Sequence, residues 1–134
     1  MTRGLALILA AGSAAFVLCA AQPPSPLAQA QPGLWEVGGV PGTSSPARLC
    51  LSDIAVLARF EHRARNCSAS TVREAATMSV IDYNCGAAGF GHSEVNVITP
   101  RSLRIATQGI SDGLPFNYVL QARRIADCPV AARH

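Results

Sequence analysis

Lysine is absent from this chain: all eleven basic residues are arginines, set against eight acidic ones. The formal charge is only +3, and no stretch gathers the arginines into a basic stripe. A balance so close to neutral excludes the electrostatic footprint of a nucleic-acid partner. Close cysteine pairs of the C-x-x-C kind are missing, which excludes the common structural zinc sites. No G-x-S-x-G nucleophile turn occurs, and neither a phosphate-cradling glycine loop nor a dinucleotide fingerprint is found. Histidine is scarce, with three copies. His62 falls on a predicted helix and reads as a solvated or partly packed residue, while His134 is the last residue and reads as disordered. His92 and Glu94 form the one candidate pair for acid–base or metal chemistry, because an i, i+2 spacing on a strand points both to one face. That face is opposite Val95 and Val97 and is therefore the wet side. The H-x-E spelling is that of zinc deaminases, but the P-C-x-x-C partner is lacking. A protein without catalysis, cofactor or metal is the expectation.

What is present divides the chain in two. Arg3 opens a leader whose middle, Leu5 to Ala21, is an almost unbroken apolar run. A proline-rich patch follows (Gln22 to Pro26), then Leu27-Ala28-Gln29-Ala30. A charged start, an apolar middle and small residues before a cut describe a secretory signal peptide spanning residues 1–30. The alternatives are a membrane anchor, for which the apolar run is short, and a lipoprotein anchored at Cys19. Residues 31–134 then form a single exported domain, periplasmic or secreted, with no membrane span once the leader is removed.

Beyond residue 30 stand four cysteines, Cys50, Cys67, Cys85 and Cys128. An even count in a small exported domain reads as a disulfide framework. Cys67 and Cys85 lie symmetrically about Ala76, so a hairpin turning there sets them face to face, leaving Cys50 for Cys128. From Thr77 to Arg124 apolar residues recur at every second position: Val95 and Val97, Leu103 and Ile105, then Phe116, Tyr118, Leu120 and Ala122. That period of two is the pattern of half-buried antiparallel strands. Predicted strands run Leu34–Val37, Cys67–Val72, Thr77–Cys85, Phe90–Ile98, Ser102–Gln108 and Pro115–Ile125. Gly38 to Ala47 is a predicted loop. One helix is predicted from Ser52 to about Ala64, with Ser52 as its cap, Asp53 in its first turn and a Glu61–Arg65 pair on its surface. The fold class is mainly β (α+β): an antiparallel meander curling into a small sheet or partial barrel, with one short helix and two disulfides.

The opening Pro32-Gly33-Leu34-Trp35-Glu36-Val37, the Cys50-Leu51 step, Cys67 and Cys85, and the ending Arg123-Arg124-Ile125-Ala126-Asp127-Cys128 resemble a family of small exported bacterial proteins, the domain of unknown function 3617. The resemblance implies a periplasmic or secreted β-rich domain and supplies no activity. The chain departs from the family in its loops, which are short, Ala-rich and lysine-free where members often carry Met- and Gly-rich ones.

Three function classes stay open. The chain reads first as a binding module holding a small apolar or amphipathic envelope ligand on the concave side of the sheet, near Trp35, against the competing reading that the helix and Trp35 plug the sheet and leave no cavity. The second is an interaction protein, an inhibitor or accessory factor for an envelope enzyme. The third is a hydrolase or metal enzyme built on His92 and Glu94. Arg123 and Arg124 point to opposite faces of the last strand, one in water and one shielding the core, with Asp127 as an available partner.

Overall fold

A computed structural model describes residues 12–20 and 24–130. The leader expectation for residues 1–30 falls in part on residues 1–11 and 21–23, and the expectation for His134 wholly, outside the described residues. Residues 12–20 are exposed and without regular structure, and Cys19 among them is a free thiol.

Seven strands make one antiparallel sheet: β1 (Gly33–Gly38), β2 (Ala47–Leu51), β3 (Ser68–Glu74), β4 (Met78–Asn84), β5 (Gly89–Thr99), β6 (Ser102–Ser111) and β7 (Leu114–Ala126). Their order is β2-β1-β7-β6-β5-β4-β3, so β3 to β7 form a meander and β1 returns to pair with β7. The sheet stays open and does not close into a barrel. Turn chemistry sets the meander. Asp112 and Gly113 join β6 to β7 with φ of 48° and 83°, the left-handed pair that a tight two-residue hairpin needs. Pro100 and Arg101 join β5 to β6, where Thr99 pairs with Ser102.

Odd-numbered residues of β4, β5 and β6 face the core, and a helical segment, Ile54–His62, fills the concave side. It differs from the expected helix: it is 3-10 in type, two short pieces meeting at a kink where Arg59 has φ −118° and ψ 38°. Asp53, not Ser52, is its cap, accepting from the amide of Ala55 at 2.9 Å. The Glu61–Arg65 pair does not form: Glu61 accepts from Tyr118, and Arg65 reaches Asp112 at 3.7 Å. Leu57 and Phe60 drop from the segment onto Trp35, Val37, Val95, Leu103, Ile105 and Leu120, all enclosed. Each such side chain contributes roughly 1.5 to 3 kcal/mol by leaving water.

Both disulfides pair as the symmetry about Ala76 predicts, Cys67 with Cys85 and Cys50 with Cys128. Ser68 lies opposite Asn84 in the β3–β4 ladder, which places Cys67 and Cys85 at its open end. Cys50, opposite Leu34, ties the outer strand β2 across β1 to the chain just past β7. The segment Ala47–Leu51 is thus a strand, where the sequence pattern predicts only the passage from the loop Gly38–Ala47 to the helix. Arg123 is exposed and reaches Glu36 at 3.5 Å, whereas Arg124 is largely enclosed, donating to the Pro32 carbonyl at 2.8 Å and pairing with Asp127. Among the described residues no helix is long and apolar enough to cross a membrane.

Candidate functional site

The strand period that buries Val95 also lines up the opposite face. Asp82 of β4 pairs with His92 of β5, His92 with Gln108 of β6, and Gln108 with Asn117 of β7. These four side chains form one cross-strand row on the outward face. Ser70 of β3 continues it beyond Asp82. The adjacent row reads Ser68, Asn84, Phe90, Ile110 and Pro115. Together the two rows line an open groove of about 920 Å³, within the size range of small-molecule sites. Phe90 is 53% exposed there, an apolar wall that packing alone leaves unexplained.

The groove floor is thin because glycines back it. A Cβ on Gly91 would stand 2.3 Å from the Tyr83 ring, and one on Gly109 would stand 2.1 Å from the Phe90 carbonyl oxygen. Their absence lets Tyr83 lie flat beneath β5 and lets β5 and β6 close up under the groove.

His92 Nδ1 lies 2.5 Å from Asp82 Oδ1, with both side chains about half exposed. The carboxylate accepts from Nδ1–H and so leaves Nε2 as the free ring nitrogen. This replaces the expected His92–Glu94 pair: Glu94 instead accepts from Asn96 Nδ2 at 3.0 Å. The arrangement orients an imidazole but supplies no nucleophile to it. Ser70 borders Asp82 from the far side, so two strand spacings, roughly 9 to 10 Å, separate its backbone from that of His92. Among the described residues no group of three or more His, Cys, Asp and Glu gathers as metal ligands do. What this row does chemically is offer hydrogen bonds: two carboxamides, an imidazole and a carboxylate beside an aromatic ring.

No protein-family model, curated protein or solved structure matches the chain.

Of the two readings of Trp35, an opening on the concave side or a plug in it, the structure shows the plug. It is 0% exposed, its Nε1–H donates to the Gln31 carbonyl at 3.0 Å, and it is not among the residues lining the groove. The helical segment covers the concave face around it, and the groove lies on the other side of the sheet.

Beneath the groove runs a buried polar network. His62, read from sequence as a helix-surface residue, is 2% exposed. Its Nε2 lies 3.0 Å from the Ala88 carbonyl oxygen, which can only accept, so the proton sits on Nε2. Nδ1 is then the acceptor, and the Tyr83 hydroxyl 3.2 Å away donates to it. Both aromatic rings beside it, Tyr83 and Phe116, meet the imidazole edge to face. Burial pushes the Tyr83 phenol up to about 12, against a smaller opposing effect of the Thr107 hydroxyl. Tyr118 donates to Glu61 Oε2 at 2.6 Å, and its phenol is raised further, by burial first and by that carboxylate second. Ser93 donates to the Ala58 carbonyl and lies 2.8 Å from Thr107 Oγ1, tying the helical segment to β5 and β6. Every buried side-chain polar atom among the described residues has a partner.

The sequence reading found His92 but not Asp82, Gln108, Asn117 or Phe90. One signal was available. A turn centred on Ala87 pairs positions equidistant from it, and Asp82 and His92 stand five residues to either side.

Proposed function

We propose that this chain is an exported binding module, periplasmic or secreted and without catalysis, that seats a small apolar or amphipathic envelope ligand in the outward groove. The observation that carries the reading is the groove itself: an open volume of about 920 Å³ with Phe90, Ile110 and Pro115 along one row and hydrogen-bonding side chains along the next. A ligand with an apolar body and a polar head matches those two rows. The two disulfides fit an oxidising compartment. The motifs shared with the domain of unknown function 3617 agree with export and are consistent with membership in that family.

Titrating delipidated protein with envelope lipids and small amphiphiles tests the reading. Ligand at 100 times its Kd adds ~2.7 kcal/mol of stability, and the backbone resonances of His92, Gln108 and Asn117 shift while those around Trp35 do not. Phe90→Ser weakens binding about tenfold, the equivalent of 1.4 kcal/mol. If no compound moves the groove resonances, or if His92→Ala abolishes a measurable turnover, the reading fails.

A second reading is favoured by one observation. Leu114 is 71% exposed at the end of β7 beside the β6–β7 turn, outside the groove lining, an apolar edge suited to a protein partner. An inhibitor or accessory factor for an envelope enzyme would use that edge, and Leu114→Ser would weaken it without changing amphiphile binding.

A further inference from the structure

The segment Pro24–Ala30 belongs, by sequence, to a leader removed after Ala30. In the structure it behaves as part of the domain. Pro26 is buried at the start of a 3-10 turn, Pro26–Gln29. Leu27 packs against the core and, with Ala58, Ile81 and Tyr83, walls a cavity of about 230 Å³. Ala30 is 6% exposed and is a member of the core itself.

Polar contacts fasten the same stretch at both ends of the sheet's turns. Ser25 Oγ donates to Glu74 Oε1 at 2.8 Å, and Gln29 Nε2 donates to the Ala76 carbonyl at 3.1 Å, both at the β3–β4 turn. The next residue, Gln31, donates its amide to the Pro100 carbonyl at 2.9 Å, at the β5–β6 turn. Its own carbonyl then receives the Trp35 indole. The stretch is a strap laid across the end of the concave face, from the β3–β4 turn to the β5–β6 turn. A cut after Ala30 would leave the bed of Leu27 and Ala30 open to water beside Ile81.

We propose that processing of this chain falls upstream of Pro24, so that Pro24–Ala30 stays on the mature protein as a structural strap. The sequence there accommodates it, since Cys19, Ala20 and Ala21 supply the small residues that a signal peptidase requires. Small residues at Ala28 and Ala30 also satisfy that enzyme's preference, but the structure gives Ala30 another reason to be small, since it lies in the close-packed core. The proposal goes beyond the binding reading and is independent of the groove.

The test is an intact mass of the full precursor after export and purification, without reduction. The expected product keeps residues 24–30 and carries two disulfides. A lipid-modified Cys19 also leaves the strap in place and supports the proposal. A product beginning at Gln31, or a chain that is exported with its leader uncut, overturns it. Stability gives a second readout. Leu27→Ala and, more mildly, Ser25→Ala lower the thermal midpoint of the exported protein, by several degrees for the former. An unchanged midpoint for both variants, with their masses altered only by the substitution, shows that the strap contributes nothing to the fold and overturns the proposal as well.

Discussion

Alkaline unfolding of this protein should report on two side chains. In most proteins lysines titrate near 10.4 and obscure that range, but this chain has none, and its two tyrosines both belong to the buried polar network. Tyr83 rises from 10.0 to about 12 because burial disfavours the phenolate. Its value in the fold lies above the value in the unfolded chain, so the protonated phenol is the form that the fold prefers. That contribution is complete below about pH 10 and is lost as the pH climbs through 12. The rise corresponds to at most about 3 kcal/mol, and Tyr83 is only 3% exposed, so solvent screens it little. Tyr118 is raised as well and acts in the same direction. Urea midpoints measured from about pH 8 to 12, alongside phenolate absorbance, should show a steep fall whose onset follows ionisation. Tyr83→Phe should flatten that fall. At neutral pH the same variant should cost about 1 to 3 kcal/mol, because His62 Nδ1 loses its only donor. If Tyr83→Phe leaves the alkaline fall unchanged, or if both phenols ionise near pH 10 in folded protein, the network has been misread.

Other perturbations follow from the same contacts. Removing the Cys50–Cys128 bridge, which spans 78 residues, should cost about 4 to 5 kcal/mol, and removing Cys67–Cys85, which spans 18, about 3; paired Cys→Ser variants in urea measure both. Gly91→Ala should destabilise by roughly 1 to 3 kcal/mol, since its Cβ meets the Tyr83 ring. A Tyr83→Ala background should relieve that cost, and a double-mutant cycle showing no coupling would contradict the packing. Ser93→Ala should cost about 1 to 2 kcal/mol by leaving the Ala58 carbonyl without its donor, read as a shift in urea midpoint without a change in slope.

The strands of the meander were legible because each buries one face, and a period of two survives any detail of packing. The pairing of the cysteines was legible too, since one hairpin fixed two of them. The strand Ala47–Leu51 was not, because its alternation covers only Ala47, Leu49 and Leu51 and runs straight into a helical signal. The helix type also escaped the sequence. Ile54, Leu57 and Ala58 suit an α-helix or a 3-10 segment alike, and nothing in their spacing marks the kink at Arg59. His62 looked like a surface residue because its partners, Tyr83 and Ala88, are more than twenty residues away. The groove was invisible for a related reason: the wet face of one strand carries little information until register joins it to three others. Trp35 left two readings open, for a large aromatic in a first strand fills a core as readily as it frames an opening.

The two bridges are nested: Cys67–Cys85 lies inside the loop that Cys50–Cys128 closes. During vectorial synthesis Cys50 therefore emerges first and meets Cys67 and Cys85 long before Cys128 exists. An oxidase that joins thiols in order of arrival would form Cys50–Cys67, and that bond would hold β2 away from β1. Strand β1 is meanwhile without a neighbour on its β7 side, because β7 is the last strand made. A chain bridged that way would mature only through thiol–disulfide exchange once Cys128 is made, whereas early closure of the local Cys67–Cys85 hairpin avoids the detour. A host rich in oxidase but poor in isomerase should accumulate a misbridged species with an exposed strand edge, prone to self-association.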